Sequence, residues 1–143
     1  MKIVADTNIL FSILIKPLGK TNELFNSLLI KNTIFIAERT LAELLNHHNK
    51  ILKLTTILED EVLILKKALI ERTQIILGKD LSNESIISAK DLVKDIDIDD
   101  TAFVATAIFL KAILWSGDKP LKTGLLTKGY YYLYDSVDIQ TLL

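Results

Sequence analysis

The sequence of 143 residues contains no cysteine, which excludes disulfides, thiolate metal sites and cysteine nucleophiles. Any metal must therefore be bound by oxygen or histidine ligands. Proline and glycine are also scarce, with two and five residues, so the composition is unlike that of a flexible or disordered chain. We expect a compact protein, and the length fits a single domain over residues 1–143.

Long apolar runs are absent as well. The longest are residues 9–15 and 103–110, well short of the ~20 residues that a transmembrane helix requires. Lys2 and the apolar residues after it resemble the start of a secretory signal, but Asp6 interrupts that run. We therefore expect a cytoplasmic protein that does not enter a membrane.

Neither sign of charge dominates the chain, since the net charge is −1 and the isoelectric point is about 6.1. This balance argues against a protein that coats nucleic acid through a large basic surface. It is compatible with an enzyme that acts on nucleic acid, because the acids of a metal site can mask a local basic rim in the overall charge.

Short apolar stretches alternate with amphipathic patterns along the sequence, and these predict strands and helices respectively. The predicted strands are residues 3–5, 33–37, 112–116 and 131–134. The predicted helices are residues 9–15, 21–31, 39–48, 82–94, 101–111 and 121–126, and the whole of 50–73 is also predicted as helix. For residues 74–77 the periodicity leaves a short strand and a helix end equally open.

Alternation of strands with helices implies right-handed βαβ units and parallel strand pairing. The predicted fold class is therefore α/β, a three-layer α/β/α sandwich with a mostly parallel sheet of four to five strands.

Four acidic residues lie at predicted strand ends or near predicted helix starts, where the active sites of α/β proteins are found. Asp6 follows the first strand and Asp118 follows the strand 112–116. Asp100 precedes the helix 101–111, and Glu43 lies in the first turns of the helix 39–48. Ligands of open α/β sheets bind beyond the carboxyl ends of the strands, so one fold could gather all four acids there.

A cluster of carboxylates needs a physical reason to exist, because like charges repel and raise one another's pKa values. A hard divalent cation such as Mg²⁺ or Mn²⁺ supplies that reason, since it takes oxygen ligands. A metal held in this way can generate a hydroxide nucleophile and stabilise a phosphodiester under attack.

Each acid could also have a purely structural role. Asp6 or Asn8 could cap the first helix, Glu43 could be a solvent-facing helical acid, and Asp118 could be a turn residue before Pro120. The acidic run 95–100 could complement a helix N-terminus. The residues alone leave these alternatives open.

The motifs that carry the four acids resemble those of the PIN domain family, and they occur in that family's order along essentially the whole chain. The motifs are Asp6-Thr7-Asn8, Thr40-Leu41-Ala42-Glu43-Leu44, the stretch Asp100 to Ala107, and Ser116-Gly117-Asp118. PIN domains are small α/β sandwiches, and many are Mg²⁺- or Mn²⁺-dependent ribonucleases of single-stranded RNA, including toxins of toxin–antitoxin pairs.

The resemblance implies that Asp6, Glu43, Asp100 and Asp118 bind Mg²⁺ or Mn²⁺ and carry the catalysis. It also implies that Asn8, with Thr7 or Ser116, orients these ligands by hydrogen bonding. The expected substrate is single-stranded RNA and the expected partner is an antitoxin protein. The apolar surplus of the helical middle of the chain further predicts a homodimer.

The third acid is the least specific of the four, because Asp95, Asp97, Asp99 and Asp100 crowd one short stretch. We favour Asp100, since it opens a helix whose alanines allow close packing. Asp97 is the second choice, as an added or water-mediated ligand, and Asp99 stays open.

Two other functions deserve comparison. Asp6-Thr7-Asn8 and Gly117-Asp118 also resemble motifs of phosphomonoester hydrolases of haloacid dehalogenase type, although those normally have an aspartate where this chain has Asn8. A non-catalytic PIN-like interaction module would keep the acids and lack turnover.

Some weaker signals concern RNA and the core. Lysines could form a phosphate-binding rim, and tyrosines could stack on unpaired bases. The aromatic residues Phe103, Phe109 and Trp115 are predicted to lie in the core. The lysines considered are Lys16, Lys20, Lys119, Lys122 and Lys128, and the tyrosines are Tyr130, Tyr131, Tyr132 and Tyr134.

Overall fold

The computed structural model describes all residues from Met1 to Leu143 and contains one sheet of five parallel strands. The strands are β1 (Lys2–Ala5), β2 (Thr33–Ala37), β3 (Gln74–Ile76), β4 (Ile113–Trp115) and β5 (Leu133–Tyr134). Their order across the sheet is β3-β2-β1-β4-β5, and every neighbouring pair is parallel.

Nine α-helices connect and cover the strands. They are α1 (Thr7–Ile15), α2 (Lys20–Leu29), α3 (Glu38–Asn46), α4 (His48–Leu54), α5 (Glu59–Glu71), α6 (Asn83–Val93), α7 (Thr101–Leu110), α8 (Lys119–Thr127) and α9 (Ser136–Gln140). Two single 3₁₀ turns, Gly78–Asp80 and Ile98–Asp100, precede α6 and α7.

The sheet lies between two apolar cores. In β1, Ile3 and Ala5 face the core formed with helices α1 to α5 and α9. Val4 faces the opposite core, formed with α6, α7 and α8. Successive strand residues point to opposite faces of a sheet, so charge-free strands are what a sheet covered on both sides requires. The predicted α/β/α sandwich is therefore confirmed, with five strands.

The strand order creates a switch point beside β1. The chain proceeds outwards from β1 to β2 and β3, then crosses the other face of the sheet and returns to form β4 on the free side of β1. In open α/β sheets the ligand crevice opens at the carboxyl ends of such a strand pair. Here those ends lead directly into Asp6 and Ser116.

One sequence prediction is wrong in the helical middle of the chain. Residues 50–73 do not form continuous helix, because α4 ends at Leu54 and α5 begins at Glu59. The Thr55 hydroxyl donates to the carbonyl oxygen of Leu14 at 2.6 Å, and the Glu61 carboxylate accepts from the backbone N–H of Leu58 at 3.1 Å. A contact with α1 and a local cap thus stop the helix, with no proline or glycine to indicate the stop.

Other differences are smaller. Residues 74–76 form a strand, because Ile75 pairs with Ile36 of β2. In contrast, β5 covers only Leu133 and Tyr134 rather than 131–134. Phe103 and Trp115 lie in the core as predicted, whereas the prediction for Phe109 is wrong, since its side chain is 40% exposed at the end of α7.

None of the helices has the length and apolar character needed to cross a lipid bilayer.

Candidate active site

Asp6 is a buried carboxylate at the carboxyl end of β1, only 5% exposed. Its backbone N–H donates to the Trp115 carbonyl oxygen of β4 at 2.9 Å. Its Oδ2 accepts from the Ser116 hydroxyl at 2.7 Å and from the Asn8 side-chain amide at 3.1 Å. The Asp6 side chain makes no capping hydrogen bond to α1, so the capping explanation does not apply to it.

Ser116 is the hub of this hydrogen-bond network. Besides donating to Asp6, its Oγ accepts from the Asn8 side-chain amide at 3.2 Å and from the backbone N–H of Asp118 at 3.1 Å. The Asn8 Oδ1 accepts from the backbone N–H of Gly117 at 3.1 Å. Ser116 and Asn8 therefore tie the β1–α1 junction to the β4–α8 junction.

Asp118 is placed by this network at the start of α8. One of its oxygens, Oδ1, accepts from the backbone N–H of Leu121 at 3.0 Å, and Pro120 lies in the first helical turn. Asp118 therefore caps a helix, whereas the structural alternative from the sequence was a turn residue before Pro120. The cap engages Oδ1 alone, and Oδ2 stays available to a ligand.

Glu43 reaches the same region from α3. Its Oε1 lies 2.9 Å from the hydroxyl of Thr7, which also lies 3.0 Å from the hydroxyl of Thr40. A carboxylate only accepts, so the single Thr7 proton serves Glu43 and Thr40 supplies the proton of the second bond. Thr7 and Thr40 are both buried, and this chain of hydroxyls fixes Glu43 to the first turn of α1.

Asp100 completes the set, from the 3₁₀ turn before α7. Its Oδ2 is buried and has no hydrogen-bond partner, and its side chain does not cap α7. The other two candidates for the third acid differ: Asp97 accepts from the backbone N–H of Asp99 at 2.9 Å, and the Asp99 side chain is 70% exposed. The Asp97 carboxylate is thus used in a hydrogen bond within its own turn. Of the three, only Asp100 has a buried oxygen without a hydrogen-bond partner.

The acids share one electrostatic environment. Burial raises the pKa of Asp6 to about 6, with further increases from the charges of Glu43 and Asp118, while the hydrogen bond from Ser116 acts in the opposite direction. Burial also raises the pKa of Asp100 to about 7, and the charges of Asp6, Asp118, Asp97 and Glu43 add to it. The ionised forms of Asp6 and Asp100 are therefore destabilised by burial and by the neighbouring negative charges, and a bound cation would offset that cost.

The acids are not arranged as a complete set of direct ligands around one metal ion. No three acidic or histidine side chains stand close enough together to hold one ion by direct contact. Mg²⁺ usually retains several waters and is bound through one or two carboxylates, so the donor set fits a hydrated hard cation. The unpartnered Asp100 oxygen supports this fit, because a buried oxygen without a partner is costly and a metal-bound water would supply one.

The lysines predicted as a phosphate-binding rim are mostly paired with acids of their own. Lys122 contacts Asp135 and Asp138 at 2.8 and 2.5 Å, and Lys128 pairs with Asp95. Lys20 lies 3.7 Å from Glu23. These pairs weaken the case for a lysine rim.

Of the four tyrosines considered, Tyr134 ends β5 and its carbonyl oxygen accepts from the backbone N–H of Ser116 at 3.1 Å, whereas Tyr130 and Tyr132 lie away from the acids. Tyr130 and Tyr132 form an edge-to-face pair with their ring centres 5.5 Å apart. They precede β5 and so lie near the amino ends of the strands, at the opposite edge of the sheet from Asp6.

Two residues of the site were not identified from the sequence. Thr40 positions Glu43 through Thr7, and the Nε of Arg39 lies 3.7 Å from the Glu43 Oε1. The four-residue spacing of Arg39 and Glu43 on one helix was a usable signal for a pair of opposite charges. Thr40 had none, because its role depends on how α3 packs against α1.

Comparison with known proteins adds to this geometry. No curated protein sequence matches the chain. Among the similar solved structures is the crystal structure of VapBC2 from Rickettsia felis bound to a DNA fragment from their promoter, with a TM-score of 0.68 and 18% identity. That match covers 94% of this chain and 98% of the other, and it shows a shared fold.

The family model of the PIN domain matches residues 4–135, a range that includes all four acids. The chain therefore belongs to the PIN domain family.

Proposed function

We propose that this protein is a metal-dependent endoribonuclease that cleaves phosphodiester bonds of single-stranded RNA, with Mg²⁺ or Mn²⁺ as its cofactor. The observation that carries the proposal is the convergence of Asp6, Glu43, Asp100 and Asp118 at the switch point of the sheet. The raised pKa values of Asp6 and Asp100 and the unpartnered oxygen of Asp100 support it.

In this proposal the four carboxylates are the metal-binding and catalytic residues. Ser116 and Asn8 hold Asp6 against Asp118, and Thr7 holds Glu43, so the ligands are oriented before the cation arrives. The turn occupies only Oδ1 of Asp97, so its Oδ2 serves as an added, water-mediated ligand close enough for its charge to act on Asp100. A bound divalent ion supplies an activated water and neutralises charge on the phosphodiester.

We further propose that the protein is the toxin of a toxin–antitoxin pair, in the cytoplasm, with an antitoxin protein as its partner. Membership of the PIN domain family and the shared fold with the VapBC2 structure support this assignment. The haloacid dehalogenase-type alternative has less support, since Asn8 occupies the position of its second aspartate and binds Ser116 and Gly117 instead.

The decisive assay is cleavage of a labelled single-stranded RNA by metal-free protein with and without added Mn²⁺. We expect cleavage only with the metal, its abolition by EDTA, and its loss in Asp6→Asn and Asp118→Asn. Asp91→Asn is the matched control, because Asp91 is an exposed acid on α6 paired with Lys94 at 2.9 Å.

The alternatives predict other results. Release of inorganic phosphate from small phosphomonoesters, without RNA cleavage, would favour the hydrolase. Absence of both activities in a folded protein would favour the non-catalytic interaction module. Cleavage retained in both site variants would refute the proposed catalytic residues.

A further inference from the structure

Arg39 is the basic side chain nearest to the acids, and the proposed metal chemistry does not use it. It lies in the first turn of α3, one turn before Glu43. Its Nε is 3.7 Å from the Glu43 Oε1 and its Nη2 is 3.9 Å from the Asp99 Oδ1. Both distances are too long for hydrogen bonds, so the guanidinium donors are free.

The other arginine of the chain shows the contrast. Arg72 donates to Asn26 Oδ1 at 2.7 Å, and its guanidinium lies 5.6 Å from the centre of the Phe25 ring. Arg72 is thus engaged by its surroundings. Arg39 lies within ion-pair distance of Glu43 and Asp99 but makes no hydrogen bond through its five N–H donors, and its side chain is 43% exposed.

Arg39 also lines a groove to which none of the four acids contributes, although sequence neighbours of two of them do. The groove has a volume of about 340 Å³. Its wall is formed largely by small side chains, and two of them, Ala42 and Ala102, lie one and two residues from Glu43 and Asp100. The lining residues used here are Ala37, Arg39, Ala42, Gly78, Ala102 and Thr106. The one acid in the lining, Glu38, accepts from the backbone N–H of Gly78 at 2.9 Å. A partly apolar groove of this size is within the range of small-ligand sites.

The ion pair with Glu43 is too weak to be the main role of Arg39. Exposed ion pairs at this helical spacing contribute about 0.3–0.5 kcal/mol, so the guanidinium can leave Glu43 at little cost. A phosphodiester that approaches four carboxylates needs compensating positive charge in addition to the metal. A guanidinium fits a phosphate through two parallel hydrogen bonds, which an ammonium cannot form.

We propose that Arg39 is a substrate-binding residue that contacts the phosphate adjoining the scissile bond, and that the groove beside it receives the neighbouring nucleotide of a single-stranded RNA. This inference rests on the proposed ribonuclease function. It predicts that the RNA strand leaves the metal site on the side where Arg39 and the groove lie.

The test is binding of a fluorescently labelled single-stranded RNA, followed by anisotropy over a range of salt concentrations with Ca²⁺ in place of Mn²⁺. We expect Arg39→Gln to weaken binding about tenfold or more. The slope of log affinity against log salt should fall by about 0.7, the value for one phosphate contact on a single strand. Arg39→Lys should keep the slope and bind with intermediate affinity, and Arg72→Gln should match the wild type.

Wild-type affinity and slope in Arg39→Gln would overturn the inference. If that variant also lost Mn²⁺ affinity in a calorimetric titration, Arg39 would only position Glu43. RNA cleavage by the wild type is measured in parallel to separate the two proposals. If the wild type cleaves RNA and Arg39→Gln binds RNA as the wild type does, the proposed subsite is refuted and the ribonuclease function is not. A wild type that neither binds nor cleaves RNA would refute both.

Discussion

At the scale of single residues, the burial of Asp6 makes a prediction about stability. Its pKa is about 6 in the folded protein against 3.8 for a free side chain, so the folded state binds the proton more tightly than the unfolded state. The free energy of unfolding should therefore fall as the pH rises from about 4 to above 6, by about 3 kcal/mol for this group alone.

Asp6→Asn should remove this penalty, because an amide oxygen still accepts from Ser116 and Asn8. In metal-free buffer at pH 7.5 we expect the variant to be more stable than the wild type by about 1–3 kcal/mol, with a flatter pH dependence, as measured by urea unfolding. Asp91→Asn should show no such gain. A less stable Asp6→Asn at pH 7.5 would contradict the electrostatic picture.

The sequence indicated the four acids because each follows a strand or begins a helix. Their mutual placement could not be predicted in the same way. Thr40 and Arg39 contact Glu43 or its partner only because α3 packs beside α1, and Asp100 could be separated from Asp97 and Asp99 only once their hydrogen bonds were known. The local pattern gives the candidates, and tertiary packing gives each of them different hydrogen-bond partners and burial.

At the scale of elements, Gly124 of α8 lies against Ile96, in the segment that precedes Asp100. A Cβ at this position would lie 2.4 Å from the Ile96 Cδ1 and 2.8 Å from its Cγ1. Alanine would raise helix propensity by about 1 kcal/mol, but the overlap with Ile96 costs about 1–3 kcal/mol. Gly124→Ala should thus destabilise the protein by about 1 kcal/mol.

A double-mutant cycle checks this explanation. In an Ile96→Ala background the same glycine substitution should be neutral or stabilising, because the overlap is gone. Ile96 directly precedes the turn of Asp97 to Asp100, so Gly124→Ala should also weaken Mn²⁺ binding. Equal effects of Gly124→Ala in both backgrounds would show that the contact with Ile96 is unimportant.

Elements were predictable where their signal is local. The strands β1, β2 and β4 follow from short charge-free runs, and helices α6 and α7 from their spacing of apolar residues. The stop between α4 and α5 was missed because Thr55 bonds to Leu14, forty-one residues away. Such a contact leaves no trace in local periodicity.

At the scale of the whole molecule, large apolar side chains remain exposed in the region of α3 to α5. Leu45, Leu58 and Ile64 are each more than 70% exposed. Exposed apolar surface of this kind often marks an interface, so the homodimer predicted from the sequence remains our expectation.

Light scattering after size exclusion tests the dimer. The wild type should have twice the mass of one chain, and Ile64→Glu should shift it towards the monomer. Ile87→Glu is the control, since Ile87 of α6 is 67% exposed and α6 covers the other face of the sheet. A monomeric wild type at concentrations of tens of micromolar would contradict this expectation.

The central claim is that residues far apart in sequence form one metal site at the switch point of the sheet. Calorimetric titration of Mn²⁺ into metal-free protein tests it most directly, with wild type, Asp6→Asn, Asp118→Asn and Asp91→Asn side by side. Asparagine can still cap α8 at position 118, so both site variants should fold. We predict that the wild type and Asp91→Asn bind Mn²⁺ and that both site variants lose at least tenfold in affinity. Wild-type binding in Asp6→Asn and Asp118→Asn would contradict the account.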